Sequence, residues 1–247
     1  MNHALHIVTG ASRGIGYEVV LHLASFPNTS ILATARNASA LAKLSENARD
    51  RRLPGQIIHV PADLTLPEGR ASIVESVQRI LDSQPGHALK GILQNAGTLT
   101  AKPFLEQTGE EWDRQYEVLL KAPALLTRDL FDLMGHACHV VFVSSMGGFQ
   151  GSRKFPGLTP YSTLKGGLSI LAECLAEEFA AHAPDKELAC NALCLGAVQT
   201  QMLEEAFPGL QAPVDAETMG GWIANFLISA GALFNGKILP ISLRDPG

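Results

Sequence analysis

Seven short apolar runs, separated by longer segments in which apolar residues return every three or four positions, constrain this chain more than any other feature. The runs fall at 5–9, 30–34, 56–60, 91–94, 139–144, 188–194 and 237–241, too short for helices and rich in Val, Ile and Leu. Strands covered on both faces read this way, because every side chain meets a packing layer. The segments between them, at 14–25, 38–50, 67–83, 110–134, 161–181 and 215–229, have helical length and period. This alternation predicts an α/β fold, a doubly wound seven-stranded parallel sheet with helices on both faces. The fourth helix opens with Thr108-Gly-Glu-Glu111, a capping box. The fifth carries Leu164, Leu168, Leu171, Leu175 and Phe179 on one stripe, which should face the core. No linker, repeat or low-complexity tract interrupts the chain, so residues 1–247 are expected to form a single domain.

Composition narrows the function classes. A net charge of −5 leaves no basic surface for nucleic acid. The N-terminus passes into the first apolar run without a signal segment, and the stretch 222–234 is interrupted by Asn225 and Ser229 and too short for a bilayer. A cytoplasmic protein with no membrane partner is expected. Cys138, Cys174, Cys190 and Cys194 lie in apolar segments without paired spacing and read as reduced thiols. His136-Ala-Cys-His139 leads into a strand with no carboxylate cluster beside it, so no metal site is predicted.

Two segments carry chemistry. The first strand runs into Thr9-Gly-Ala-Ser-Arg-Gly-Ile-Gly16 and then a helix. Glycines there permit a tight turn and close backbone approach, while the helix N-terminus offers free N–H groups and positive dipole to a pyrophosphate. The spacing is Gly-x-x-x-Gly-x-Gly, a departure from the common dinucleotide fingerprint. Tyr161-Ser-Thr-Leu-Lys165 places a phenol and an ammonium one helical turn apart, with Cβ atoms about 5–6 Å from each other. Lys165 can then favour the phenolate. Bringing a phenol from a pKa of about 10 to neutrality takes about 4 kcal/mol of differential stabilisation, within reach of a cation in a half-buried cleft. Both residues fall near the carboxyl ends of the strands, where open α/β sheets bind ligands.

Five spaced motifs in order give the chain its resemblance to the short-chain dehydrogenase/reductase family, over essentially the whole length. Thr9 to Gly16 resembles the family's cofactor turn, Asp63-Leu64 its adenine contact, Asn95-Ala-Gly97 the motif after the fourth strand, and Ser144-Ser145 the serine pair after the fifth. Tyr161 and Lys165 follow sixteen and twenty residues after Ser145, like the family's active-site pair. The resemblance implies a Rossmann-like sheet, a nicotinamide cofactor and hydride transfer at a carbonyl or alcohol carbon. It implies that Ser145 holds the substrate oxygen, that Tyr161 gives a proton to the developing alkoxide, and that Lys165 holds the nicotinamide ribose and favours the tyrosinate. Cofactor contacts are implied at Gly10, Ser12, Arg13, Ile15, Gly16, Arg36, Asp63, Leu64, Asn95, Tyr161, Lys165, Val198 and Thr200, the last two for the carboxamide. Residues 201–213 should form a short lid, with Met202, Leu203, Phe207 and Leu210 as apolar lining for a small carbonyl or alcohol substrate. A homodimer or homotetramer is implied as well.

Charge argues the cofactor type. Thr34-Ala-Arg-Asn37 has Ala35 where NAD users carry an acid for the ribose 2′-hydroxyl, while Arg36 and Arg13 are available for a 2′-phosphate. An opposed unit-charge pair at 4 Å is worth about 4 kcal/mol at an effective dielectric of 20, before desolvation. NADP(H) is therefore expected over NAD(H).

Two positions depart from the family pattern. Leu195-Gly196 replaces Pro-Gly, which should loosen that turn. Leu119, seven residues beyond Trp112, stands where the family has an asparagine that holds a water in the proton relay behind the lysine, so an altered relay is expected. The leading expectation is an NADPH-dependent carbonyl reductase. The alternative is an NADP(H)-binding regulatory or scaffold protein with weakened catalysis. A sugar-nucleotide epimerase or dehydratase also uses Tyr-x-x-x-Lys, but the short chain after the sixth strand leaves no room for its substrate domain.

Overall fold

The computed structural model describes residues 3–83 and 86–243. The chain runs β1 (His3–Thr9), α1 (Gly14–Ala24), β2 (Thr29–Ala35), α2 (Ala38–Asp50), β3 (Gln56–Pro61), α3 (Pro67–Ser83) and β4 (His87–Gln94). It continues through α4 (Gly109–Tyr116), α5 (Ala122–Asp129), β5 (Met134–Ser145), α6 (Thr159–His182), β6 (Glu187–Leu195), β7 (Val198–Gln199), α7 (Gln201–Ala206), β8 (Val214–Asp215), α8 (Ala216–Ser229) and β9 (Lys237–Ile241). Seven strands form one parallel sheet in the order β3-β2-β1-β4-β5-β6-β9. Strand order reverses between β1 and β4, and that switch opens a crevice at their carboxyl ends.

Alternate strand residues feed two cores. Leu5, Ile7, Leu32, Ile92, Val140 and Phe142 pack with Ile73 and Val77 of α3, Leu126 of α5 and Leu168 and Phe179 of α6. Val8, Ile31, Leu93, Val141 and Leu193 pack on the other face with α1, α2 and α8. Burying each large aliphatic side chain contributes about 1.5–3 kcal/mol, so both layers are held mainly by apolar area. Among the described residues no helix is long and apolar enough to cross a membrane.

The seven-stranded doubly wound sheet matches the alternation of the sequence, and three boundaries do not. The helix expected over 110–134 is broken. Its capping box forms, with Thr108 Oγ1 accepting from the Glu111 N–H and Glu111 Oε2 accepting from the Thr108 N–H. A π-helical turn at Glu117–Lys121 then separates α4 from α5. Pro123, lacking an N–H, removes the α-helical donor for the carbonyl of Leu119 four residues back, and the ladder widens there. Residues from Met134 onward belong to β5, which begins five residues earlier than its apolar core suggested. β4 likewise starts at His87, because Lys90 sits at a register shift that breaks its apolar pattern. The two-residue strands β7 and β8 form a separate parallel pair, too short to have a period in the sequence.

Candidate active site

The first wall of the crevice is made by the ends of β1 and β4. Thr9, fully buried, donates its hydroxyl to Leu93 O at 3.2 Å and accepts from the N–H groups of Asn95 at 2.9 Å and Ala96 at 3.0 Å. Asn95 Nδ2 donates to Thr9 O at 3.0 Å and Gly10 O at 3.3 Å. Asn95 thus braces the glycine turn, a role its motif alone did not indicate. Gly10 has φ +68°, and a Cβ there would lie 2.8 Å from Ala96 Cα. A Cβ on Gly16 would lie 2.5 Å from both Asn95 Nδ2 and Gly10 O. The glycines therefore let the turn close against β4 and the helix start come near a ligand.

Helix α1 begins after Arg13 with no side-chain cap. Its first N–H groups are open to an anion, and Gly10, Ser12, Arg13 and Ile15 line a cleft of about 2230 Å³. Ligand pockets for small molecules are about 300–1,000 Å³, so this one has room for a dinucleotide and a second molecule. Arg36, Asp63 and Leu64 line the same cleft beyond the turn. Burial raises the Asp63 carboxyl, but hydrogen bonds from the Thr65 hydroxyl and N–H, with Arg36 nearby, outweigh it and hold the group below its usual range. Arg70, sequence-silent, is buried and donates to Leu64 O at 2.9 Å, which fixes the Asp63-Leu64 segment.

The opposite wall carries Ser145, Tyr161 and Lys165. Ser145 ends β5, and its Oγ accepts from the Gly147 N–H at 3.1 Å. Ser144 points the other way and donates to Lys165 O at 2.7 Å. Tyr161 is half-buried at the start of α6. Burial pushes its phenol up, and the hydrogen bond with Ser145 opposes that shift. Lys165 lies over the Tyr161 ring, as the spacing predicts. Its Nζ lies 5.8 Å from the Tyr161 ring centroid and donates to Val143 O at 2.6 Å, while burial lowers its own pKa to about 8. The phenol is thus held up by burial, with the Ser145 hydrogen bond as the opposing influence.

The third wall follows β6. Val198 and Thr200 line the cleft, and Thr200 Oγ1 also caps α7 by accepting from the Leu203 N–H at 3.2 Å. The turn at Leu195-Gly196 is tied to β9 without a proline. Leu195 stays in register with Ile241, and the Gly196 N–H donates to Ile241 O at 2.9 Å. Met202, Leu203, Phe207 and Leu210 all face the cleft, as do Leu99, Met146, Phe155 and Leu158, which were not singled out in the sequence. These last four are scattered in loops and turns without periodicity, so nothing local marked them. The base of the 201–213 segment is pinned by the β7–β8 pair and by Gln199 Oε1 accepting from the Ala212 N–H at 2.8 Å.

The sequence model of short chain dehydrogenases matches residues 4–211. The chain belongs to the short-chain dehydrogenase/reductase family. One relative, the uncharacterized oxidoreductase YciK of Escherichia coli (strain K12), is 30% identical over 233 residues, covering 90% of this chain and 86% of its own. The cyclopentanol dehydrogenase of Comamonas testosteroni is 26% identical over 223 residues, covering 90% and 82%. The L-sorbose reductase of Gluconobacter frateurii, solved with NADPH and L-sorbose, shares the fold with a TM-score of 0.81 at 21% identity, covering 99% of this chain and 97% of that one. The protein is thus a member of an oxidoreductase family that uses nicotinamide cofactors.

Against that family background Leu119 is the unusual neighbour of the site. It lies fully buried in the π-helical turn. A Cβ placed on Gly97 would meet Leu119 Cδ2 at 3.5 Å and Lys165 Nζ at 4.0 Å, so an apolar side chain and the ammonium border one small volume.

Proposed function

We propose that the protein is an NADP(H)-dependent carbonyl reductase for a small, apolar substrate, with residues 1–247 as one catalytic domain and 201–213 as its lid. The observation that carries this reading is the convergence of Ser145, Tyr161 and Lys165 on one wall of a cleft whose other walls are an uncapped helix start and an apolar lid. When bound, the nicotinamide supplies or accepts the hydride. The chain's own groups do the rest. The α1 N–H groups receive the pyrophosphate, Arg13 and Arg36 the 2′-phosphate, Asp63 and Leu64 the adenine end, and Val198 and Thr200 the carboxamide. Asn95 keeps the glycine turn in shape.

Ser145, in hydrogen-bond contact with the Tyr161 phenol, would orient the substrate oxygen beside that phenol. Tyr161, whose phenol is pushed up by burial, is protonated at neutral pH and is in the form that gives a proton to a developing alkoxide. Such positioned acid catalysis contributes about 10²–10⁴-fold. Lys165, charged below a pKa of about 8, adds positive potential beneath the ring and a donor for ribose hydroxyls. A second reading, an NADP(H)-binding regulatory protein with weakened catalysis, is favoured by Leu119 beside the Lys165 ammonium.

Mixing the protein with NADPH or NADH and a panel of diketones, quinones, pterins and acyl thioesters tests both. Loss of NADPH absorbance with a higher kcat/KM than NADH is expected on an apolar carbonyl. A preference for NADH overturns the cofactor assignment. Tight NADPH binding with no turnover on any carbonyl favours the second reading.

A further inference from the structure

The Arg13 guanidinium is already engaged. Its Nη1 donates to Glu205 Oε1 at 2.9 Å and its Nη2 to Oε2 at 3.4 Å, a two-point contact between the glycine turn and the lid helix α7. Arg13 keeps 47% and Glu205 55% of their side-chain surface exposed, so the pair is screened and exchangeable. The Arg13 hydrogen bonds, with a further one from Gln201, hold the Glu205 carboxyl below its usual range, and it stays anionic at neutral pH. A 2′-phosphate arriving beside the Arg13 guanidinium must therefore share or take it from a lid carboxylate. An uncharged group there has no such contest. Arg36, on the far side of the turn, has its own acidic neighbour in Asp63.

We infer that Glu205 is a cofactor-discriminating residue, a lid carboxylate that competes with a 2′-phosphate for Arg13 and so limits the preference for NADP(H) over NAD(H). This rests on the NADP(H) reading above. The nucleotide 2′-hydroxyl of NADH carries no charge, so removing Glu205 strengthens NADPH alone. The same pair ties cofactor choice to the lid, because Met202 and Leu203 of α7 line the same cleft.

The test is the dissociation constant of NADPH and of NADH, read from nucleotide fluorescence, for wild type, Glu205→Gln, Arg13→Ala and the double variant. Glu205→Gln is expected to tighten NADPH about two- to fivefold, the range over which an exposed ion pair competes, and to leave NADH unchanged. The gain should vanish when Arg13 is alanine. Equal tightening of both nucleotides, no change in either, or a gain that survives without Arg13 overturns the inference. Wild-type protein that binds NADH more tightly removes the cofactor reading and the inference with it; a wild-type preference for NADPH that ignores Glu205→Gln removes the inference alone.

Discussion

Beside Gly97, the Leu119 side chain and the Lys165 ammonium border one small volume, and each limits the other. Among the described residues Lys165 Nζ donates to Val143 O at 2.6 Å, while Leu119 brings no lone pair to the remaining N–H groups. Burial has already lowered the lysine to about 8, so further loss of polar company would weaken the charge that supports Tyr161. An amide at 119 restores an acceptor. Leu119→Asn is expected to leave kcat unchanged or raise it severalfold, while the fully buried position costs about 1–3 kcal/mol in stability for the polar group it acquires. Single-turnover reduction and urea unfolding on the same variant separate the two effects. A large loss of kcat in a folded variant would mean that the surroundings of Lys165 have been rebuilt around leucine.

At the scale of elements, Thr9 joins β1 to β4 through one hydroxyl that makes three hydrogen bonds. Thr9→Val keeps the shape and strands the N–H groups of Asn95 and Ala96 in a buried place. The expected cost is about 2–4 kcal/mol in urea unfolding, with weaker NADPH binding because Asn95 no longer holds the glycine turn, and Thr9→Ser should recover most of both. If valine leaves NADPH binding intact, the turn is held by its glycines and not by this clamp. Elements of this kind differ in how far they could be read from sequence. Strands covered on both faces declare themselves as apolar runs, and the α4 start declares itself through Thr108 and Glu111. The π-helical turn does not, because Pro123 is as compatible with a new helix as with a widened one until the packing of Leu119 is known. The motifs on the cleft walls were legible through their order. The Arg13–Glu205 contact was not, since it joins residues 192 positions apart on two surface segments whose charges look solvated in sequence. The nearness of Lys165 to Tyr161 was legible from their spacing, whereas the Val143 O that anchors the ammonium was not, because it comes from another element.

Across the whole molecule, the sheet hides two histidines in one row beneath α8. His6 on β1 is in register with Gly91 on β4, which is in register with His139 on β5. Gly91 makes the row possible, because a Cβ there would lie 2.5 Å from His6 Nδ1 and 3.0 Å from Leu227 Cγ. His139 Nδ1 donates to Leu227 O at 3.2 Å, so in the neutral ring Nε2 is the acceptor for Asn191 Nδ2 at 2.9 Å. Asn191 in turn accepts from the Lys237 N–H at 2.9 Å and holds the edge strand β9. Protonating His139 would turn its Nε2 into a second donor facing an amide donor and loosen that edge. Burial lowers both histidines from 6.5 to about 4. The unfolded chain therefore binds more protons than the folded one between these values, stability rises with pH there, and it is lost as pH falls from 6.5 towards 4. At about 1.4 kcal/mol per pKa unit, each histidine accounts for roughly 3 kcal/mol over the window. The carboxyls held low, Asp63, Glu111, Glu205 and Asp215, contribute mainly below about pH 5, so the two effects overlap only at the acid end of the window. Urea unfolding from pH 7 to 5 should show mainly the histidine part, to which His3 adds, and His6→Leu, which spares the Asn191 network, should reduce that fall by somewhat less than half. An unchanged slope in His6→Leu would assign the acid sensitivity elsewhere and leave the buried row as packing only.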